Sequence, residues 1–143
     1  MTDLIIPNLY IAGMYEGDLV KITKSMILTE YEIKISKADF EKDFQKGSHY
    51  PTTKHDRMKS GECWSNYFYF VTPKGLIPIE SIPEYAGLIE WDETTGKFVT
   101  IKVAKKLTKE KFYKGKEYKL LMTLTVRNNA LLNKLIKSKT ESK

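Results

Sequence analysis

Apolar positions in the first hundred residues fall into short runs separated by turn-forming residues, a pattern typical of β-strands. The runs are rich in β-branched and aromatic residues, which strands favour. Pro7 marks the first run as an irregular or edge strand. A short polar link at Lys24 and Ser25 predicts that the second and third runs form a hairpin. The predicted strands are residues 4–12, 18–23, 27–35, 64–72, 86–91 and 98–103.

Helical spacing occurs in two places. Ser36 is followed three residues later by Asp39, a capping pattern, and Phe40 and Phe44 then fall on one helix face. Between these regions, residues 47–61 show no strong periodicity and predict an exposed, mobile segment that could include a helical turn. A second helix is predicted over residues 118–139, where four leucines recur at helical spacing: Leu121, Leu124, Leu131 and Leu135.

The order of these elements is strand, hairpin, helix, strand, hairpin, helix. It predicts the α/β (α+β) class with one mixed sheet. A chain of 143 residues is the size of one domain, so we expect a single domain over residues 1–143, with residues 138–143 frayed.

Composition indicates a soluble globular protein, with 41% hydrophobic and 29% charged residues. There is no apolar run of about 18 residues. The first residues lack the basic region and cleavage site of a signal peptide. Cys63 is the only cysteine, which excludes an internal disulfide and a thiolate zinc cluster. We therefore expect a cytoplasmic protein without membrane association.

The net charge of +6 is concentrated near the end of the chain. Residues 102–119 hold eight lysines against two glutamates. Such a local excess favours a polyanionic partner, because lysines neutralise phosphates and release counterions. A solvated, lysine-rich surface is the alternative, and the charge alone leaves both open.

Three charged residues interrupt the predicted hairpin: Asp18, Glu32 and Lys34. If the turn centres on Ser25, Asp18 lies directly opposite Glu32, with Cβ atoms about 5 Å apart. Carboxylates that close repel each other unless a hard divalent cation lies between them. Lys34 follows on the same face, where it could orient a water or hold a phosphate. This set suits phosphodiester hydrolysis, whereas the alternative is solvent-facing charge on a half-exposed sheet.

Asp18-Leu19-Val20 followed by Glu32-Ile33-Lys34 on adjacent strands, and then a helix, resembles the PD-(D/E)XK nuclease superfamily. The chain is also similar to small stand-alone nuclease-like proteins akin to the MmcB-like DNA-repair family. The segments that carry this similarity are, in order, "EIKISKADFEKDF", "KH", "NYFYFVTPKGLIP" and "IPEYAGLIEWD". The resemblance covers residues 17–106. It implies a restriction-endonuclease-like domain, with a central mixed sheet flanked by helices, that cuts DNA as a metal-dependent hydrolase.

The resemblance also implies roles for individual residues. Asp18, Glu32 and the backbone carbonyl of Ile33 would hold Mg²⁺ or Mn²⁺, and Lys34 would position the attacking water. Together with the basic segment, the resemblance gives these expected substrate contacts: Lys37, Lys54, His55, Asn66, Lys105 and Lys106.

The chain departs from the family pattern at two points. Few residues precede Leu4, so the core helix that normally opens the fold is expected to be reduced or absent. Gly17 stands where the motif usually has proline. A homodimer could complete such a core. A second alternative is a nucleic-acid-binding protein that retains the nuclease fold and cuts nothing, and a third is a protein-interaction module whose basic segment meets an acidic partner.

Overall fold

A computed structural model describes residues 3–11, 15–45, 52–112 and 116–141. The chain divides into two compact units, Met1–Phe112 and Tyr113–Lys143. In the described residues, the first unit contains the sheet, two α-helices and a 3-10 helix (Ile79–Ser81), and the second contains one α-helix. Residues 47–51 of the predicted exposed segment lie outside the described residues.

The first unit is built on one six-stranded mixed sheet with the strands in chain order. Three neighbouring pairs, β1–β2, β2–β3 and β5–β6, are antiparallel, whereas β3–β4 and β4–β5 are parallel. The predicted class and every predicted strand are confirmed, with ends shifted by a few residues. The strands are β1 (Leu4–Ile11), β2 (Tyr15–Ile22), β3 (Leu28–Ile33), β4 (Tyr67–Pro73), β5 (Gly87–Asp92) and β6 (Lys97–Lys102).

Two short helices, α1 (Lys37–Asp43) and α2 (Lys54–Ser60), connect β3 to β4. A parallel pair of strands needs such a crossover. Ser36 caps α1, as predicted, by accepting a hydrogen bond from the Asp39 N–H. The prediction of an exposed segment over residues 47–61 is wrong for residues 54–60, because α2 buries Lys54, His55 and Met58. Its start was readable in the sequence, since Thr53 and Asp56 form a capping box.

The second unit consists of α3 (Lys116–Glu141). The helix continues through residue 141, and the expected fraying of residues 138–143 stays a prediction. Among the described residues β1 is the first element, and no helix precedes it. Within that same part of the chain, none of the helices combines the length and apolar character needed to cross a bilayer.

The register of β2 and β3 confirms the predicted hairpin. Val20 pairs with Glu30 and Ile22 pairs with Leu28, as a turn centred on Ser25 requires. Gly17 precedes Asp18 in β2 and lies close to Glu30, since an added Cβ at Gly17 would come within 3.3 Å of the Glu30 carboxylate. The charged positions of β3 therefore fall on the face that the sequence predicts.

Buried and half-buried side chains alternate along β4, and the buried ones form the core on that face. Phe68 and Phe70 are fully buried, whereas Tyr67 and Tyr69 are half-buried on the opposite face. Val20 and Leu28 extend the same buried layer on the neighbouring strands. The aromatic run in β4 is thus core packing, and its buried face supports the charged side chains of β3.

Candidate functional site

Three charged side chains follow one another on the covered face of β3 and the residue after it. Glu30, Glu32 and Lys34 alternate along the chain and are 0%, 4% and 1% exposed. Side chains two residues apart in a strand point to the same face, so all three enter the space beneath α1 and α2. Burial of charge is costly unless each group has partners, and the two helices provide them.

Lysine ammonium groups neutralise these carboxylates. Nζ of Lys34 lies 2.9 Å from Oε1 of Glu32 and 2.8 Å from Oδ1 of Asp43. Nζ of Lys54 lies 2.7 Å from Oε2 of Glu32 and 2.7 Å from Oε1 of Glu30. The second contact is an ion pair without hydrogen-bond alignment. Both carboxylate oxygens of Glu32 therefore face a lysine.

A hydrogen-bonded chain continues from Asp43 through an imidazole to a phenol. Nε2 of His55 lies 2.6 Å from Oδ2 of Asp43, and Nδ1 of His55 lies 2.6 Å from the Tyr85 hydroxyl. An ionised carboxylate only accepts hydrogen bonds, so Nε2 of His55 carries a proton. We use the term buried charge cluster for Glu30, Glu32, Lys34, Asp43, Lys54 and His55.

Burial and pairing shift the proton affinities of the cluster in opposite directions. Burial raises the pKa of Glu32 above its usual value, although Lys54 acts against this. Burial alone would also raise the pKa of Asp43, but hydrogen bonds from His55 and Lys34 outweigh it and lower that pKa. Burial would lower the pKa of Lys34, yet its bonds to Asp43 and Glu32 raise it. Asp43 is therefore an anion and Lys34 a cation at neutral pH.

Aromatic rings form the apolar floor of the cluster. The His55 ring packs 4.4 Å from the Phe44 ring and 5.9 Å from the Phe70 ring, measured between centroids. Nζ of Lys54 lies 5.2 Å from the Phe68 ring centroid. Hydrogen bonds and ion pairs are stronger in such a low-dielectric setting, and an unpaired group there is correspondingly costly. The floor thus holds the cluster to one arrangement.

Local sequence places the partners. Ser36 caps α1 two residues after Lys34, so α1 starts beside the end of β3. Asp43 is the last residue of α1 and follows Phe40 by three positions, which places both on the buried face. The Thr53 capping box starts α2 directly before Lys54 and His55. The starts of α1 and α2 therefore bring Asp43, Lys54 and His55 to the charged face of β3.

Asp18 lies at the edge of the buried charge cluster. Its Oδ2 accepts a hydrogen bond from the Ile33 N–H at 2.8 Å, and the residue is half-buried. The predicted register places Asp18 beside Glu32, and that register is found. Its carboxylate, however, bonds to the backbone of β3. Asp18 thus completes the hydrogen bonding of β3 where its antiparallel pairing with β2 ends.

The arrangement does not fit a divalent cation as it stands. Within the described ranges, no group of three or more His, Cys, Asp or Glu residues could hold a metal ion. A cation bound to Glu32 would have to displace the ammonium group of Lys34 or Lys54 from one of the Glu32 carboxylate oxygens. The predicted ligands Asp18, Glu32 and the Ile33 carbonyl therefore do not make a ready metal site.

The residues predicted to contact substrate occupy different environments. Lys54 and His55 are buried within the charge cluster, which does not suit direct substrate contact. Asn66 is fully buried, and its side chain has a structural role. Its Oδ1 accepts from the Leu28 N–H at 2.9 Å, and its Nδ2 donates to the carbonyls of Thr108 and Glu110. The exposed members of the predicted set are Lys37, Lys105 and Lys106.

Sequence reasoning missed four members of this network. Glu30 could have been found, because it precedes Glu32 by two positions and shares its face. Asp43 could have been found from its spacing to Phe40 on α1. Ser65, whose hydroxyl donates to Oε2 of Glu30 at 2.8 Å, and Tyr85 lie outside the strands and α-helices and had no periodic signal.

Comparison with known proteins adds a fold likeness. No family model matches the chain, and no curated protein matches it. A solved structure of a protein of unknown function from Silicibacter pomeroyi is similar, with a TM-score of 0.62 and 15% sequence identity. The likeness covers 96% of this chain and 82% of that chain. At this identity it shows a shared fold and carries no functional information.

Proposed function

We propose that this chain is a nuclease of PD-(D/E)XK type that hydrolyses phosphodiester bonds in DNA. The observation that carries the proposal is the buried charge cluster around Glu32 and Lys34. Taking several charges out of water costs free energy that apolar residues would not cost. Perturbed pKa values gathered at one place are typical of functional sites. The cluster includes Glu32 and Lys34, two of the three charged residues that carry the family resemblance, and Asp18 is the third.

Lys34 is the group best suited to meet a phosphate. Its raised pKa keeps it cationic, and Asp43 and Glu32 hold its ammonium group between them. His55 and Tyr85 in turn orient Asp43. Lys34 is only 1% exposed, so a phosphate oxygen reaches it when Glu32 or Asp43 gives way. On this proposal, DNA binding opens the cluster and Lys34 exchanges a carboxylate for a phosphate.

The need for Mg²⁺ or Mn²⁺ stays a prediction. Carboxylate oxygens are the ligands these ions prefer, and Asp18 and Glu32 supply them. Because Glu32 is held by two ammonium groups, an ion would compete with Lys34 and Lys54 for its oxygens. Activity should therefore require a higher metal concentration than in a site that is already open.

A second candidate is a DNA-binding protein that cuts nothing. The saturated carboxylate of Glu32 favours it, because a fully paired cluster needs no cation and leaves no group facing solvent. The lysine excess of residues 102–119 supports both candidates equally. A cleavage assay is therefore the measurement that separates them.

The assay incubates supercoiled plasmid and single-stranded oligonucleotide with the full chain, in Mg²⁺, in Mn²⁺ or in EDTA. We expect metal-dependent cutting that Lys34→Met abolishes and that Lys97→Gln, an exposed lysine on β6, leaves intact. Asp18→Asn is the companion variant, since a half-buried residue tolerates the change better than Lys34. Wild-type protein that binds both DNAs and cuts neither establishes the second candidate.

A further inference from the structure

A cavity of about 550 Å³ lies between the end of α2, the loop before β5 and the segment after β6. Met58 and Lys59 line it from α2, and Tyr85 lines it from the loop. Lys105, Lys106 and Leu107 line it from the segment after β6. All of these residues belong to the first unit. Tyr85 also bonds to His55, so the cavity adjoins the buried charge cluster.

Backbone contacts hold the walls in place. Gly61 ends α2 with φ at 79°, and the Leu107 carbonyl oxygen lies 2.9 Å from where a Cβ would stand. Only glycine allows that approach without strain. On the other side, the Lys102 ammonium donates to the carbonyls of Ile82 and Pro83 at 2.9 and 2.7 Å. The cavity is therefore formed by the fold itself.

The cavity is electropositive. Its lining includes three lysines and one glutamate, Glu84. Glu84 forms an ion pair with Lys105 at the surface. Lys59 and Lys106 are exposed, and neither ammonium group takes part in a described ion pair, although Asp56 attracts Lys59 at longer range. Two positive charges thus remain for an anionic ligand, and lysine is a common phosphate binder.

The remaining lining is apolar or aromatic. The Tyr85 hydroxyl is engaged by His55, so the surface that Tyr85 offers to the cavity is ring surface. Burial raises the pKa of Tyr85, so the phenol stays uncharged. Met58 and Leu107 add apolar area beside it. Aromatic side chains next to lysines are the combination that holds a base and its phosphate.

We infer that this cavity binds a nucleoside monophosphate unit, with Lys59 and Lys106 on the phosphate and Tyr85 against the base. The unit belongs to a free nucleotide or to one residue of a DNA strand, and both share this chemistry. In the second case the inference rests on the proposed function, because the strand held here is the one presented to Lys34. The chain Tyr85, His55, Asp43 and Lys34 links the two sites.

Isothermal titration calorimetry in EDTA tests the inference on the full chain. The ligands are inorganic phosphate, dAMP and a 5′-phosphorylated single-stranded trinucleotide. We expect dAMP or the trinucleotide to bind more tightly than phosphate, because only they offer a base. Lys59→Gln with Lys106→Gln should weaken that binding by about tenfold or more, and Lys97→Gln should leave it unchanged. Tyr85→Phe should retain binding, whereas Tyr85→Ala should lose most of it.

Each outcome decides a question. If dAMP binds tightly and the trinucleotide weakly, the ligand of the cavity is a free nucleotide. If the trinucleotide binds tightly and dAMP weakly, the ligand is a residue of a DNA strand. Binding of neither, or equal binding by the double lysine variant, overturns the inference. A chain that binds nucleotide but never cuts DNA overturns the nuclease and leaves the cavity site standing. A chain that cuts DNA without binding either ligand overturns the cavity site alone.

Discussion

The imidazole of His55 and the carboxylate of Asp43 lie 2.6 Å apart, between Nε2 and Oδ2. Asp43 ends α1 and His55 stands in the first turn of α2, so this bond joins the two crossover helices. The second oxygen of Asp43 receives Lys34 at 2.8 Å. One carboxylate thus ties both helices to the end of β3. The integrity of the site should depend on it.

Asp43→Asn should destabilise the protein in a pH-dependent way. A carboxyl whose folded pKa lies below its ordinary value of 3.8 stabilises the fold above that pH, and the stabilisation is lost as the pH falls below it. We expect a loss of about 3 kcal/mol at neutral pH, because a buried ion pair is broken. Urea unfolding should show the gap between wild type and variant narrowing as the pH falls below 3.8. Exposed Glu93→Gln is the control, and a pH-independent gap would contradict the assignment.

Removing the ion pair between Lys54 and Glu32 should strengthen metal binding at Glu32. Lys54 holds Oε2 of Glu32 at 2.7 Å, where a cation would need to bind. The double variant Glu30→Gln, Lys54→Met removes the lysine together with its other partner, so no second carboxylate is left unpaired. Calorimetry should show tighter Mn²⁺ binding in this variant and weaker binding in Asp18→Asn. Equal affinity in all three proteins would place any metal site away from Glu32.

Asn66 should matter for stability and leave DNA affinity unaffected. Its amide satisfies the Leu28 N–H and the carbonyls of Thr108 and Glu110, which tie β3 to the segment after β6. Asn66→Ala should therefore lower the free energy of unfolding by about 3 kcal/mol. Exposed Asn133→Ala is the matched control. A variant with normal stability and weakened DNA binding would instead restore Asn66 to the substrate-contact set.

The lysines of the segment after β6 should contribute unequally to DNA binding. Lys105 is already paired with Glu84, whereas Lys106 and Lys109 are exposed. Each duplex phosphate neutralised adds about −0.9 to the slope of log affinity against log salt. Lys106→Gln with Lys109→Gln should flatten the slope by up to about two units, and Lys105→Gln should add little. Fluorescence anisotropy in Ca²⁺, to suppress cutting, measures this, and an unchanged slope would place the DNA surface elsewhere.

The sequence by itself determined the strands, their succession along the chain and the register of the β2–β3 hairpin. Alternation along a strand and a short turn leave one register that buries Val20 and Leu28 together, because a slip by one residue would place the two side chains on opposite faces of the sheet. The same alternation determined that Glu32 and Lys34 share a face. These features depend on neighbours in the chain, so local pattern is enough to predict them.

Only the tertiary structure decided which side chains pair with the charged residues Glu32 and Lys34. Lys54, His55 and Tyr85 come from segments far along the chain. The helix α2 brings the first two to β3, because the parallel β3–β4 pair needs a crossover over one face. Whether Asp18 turns to Glu32 or to the Ile33 N–H depends on where the β2–β3 pairing ends. Buried charges must find partners in space, and the packing of distant elements sets which partners those are.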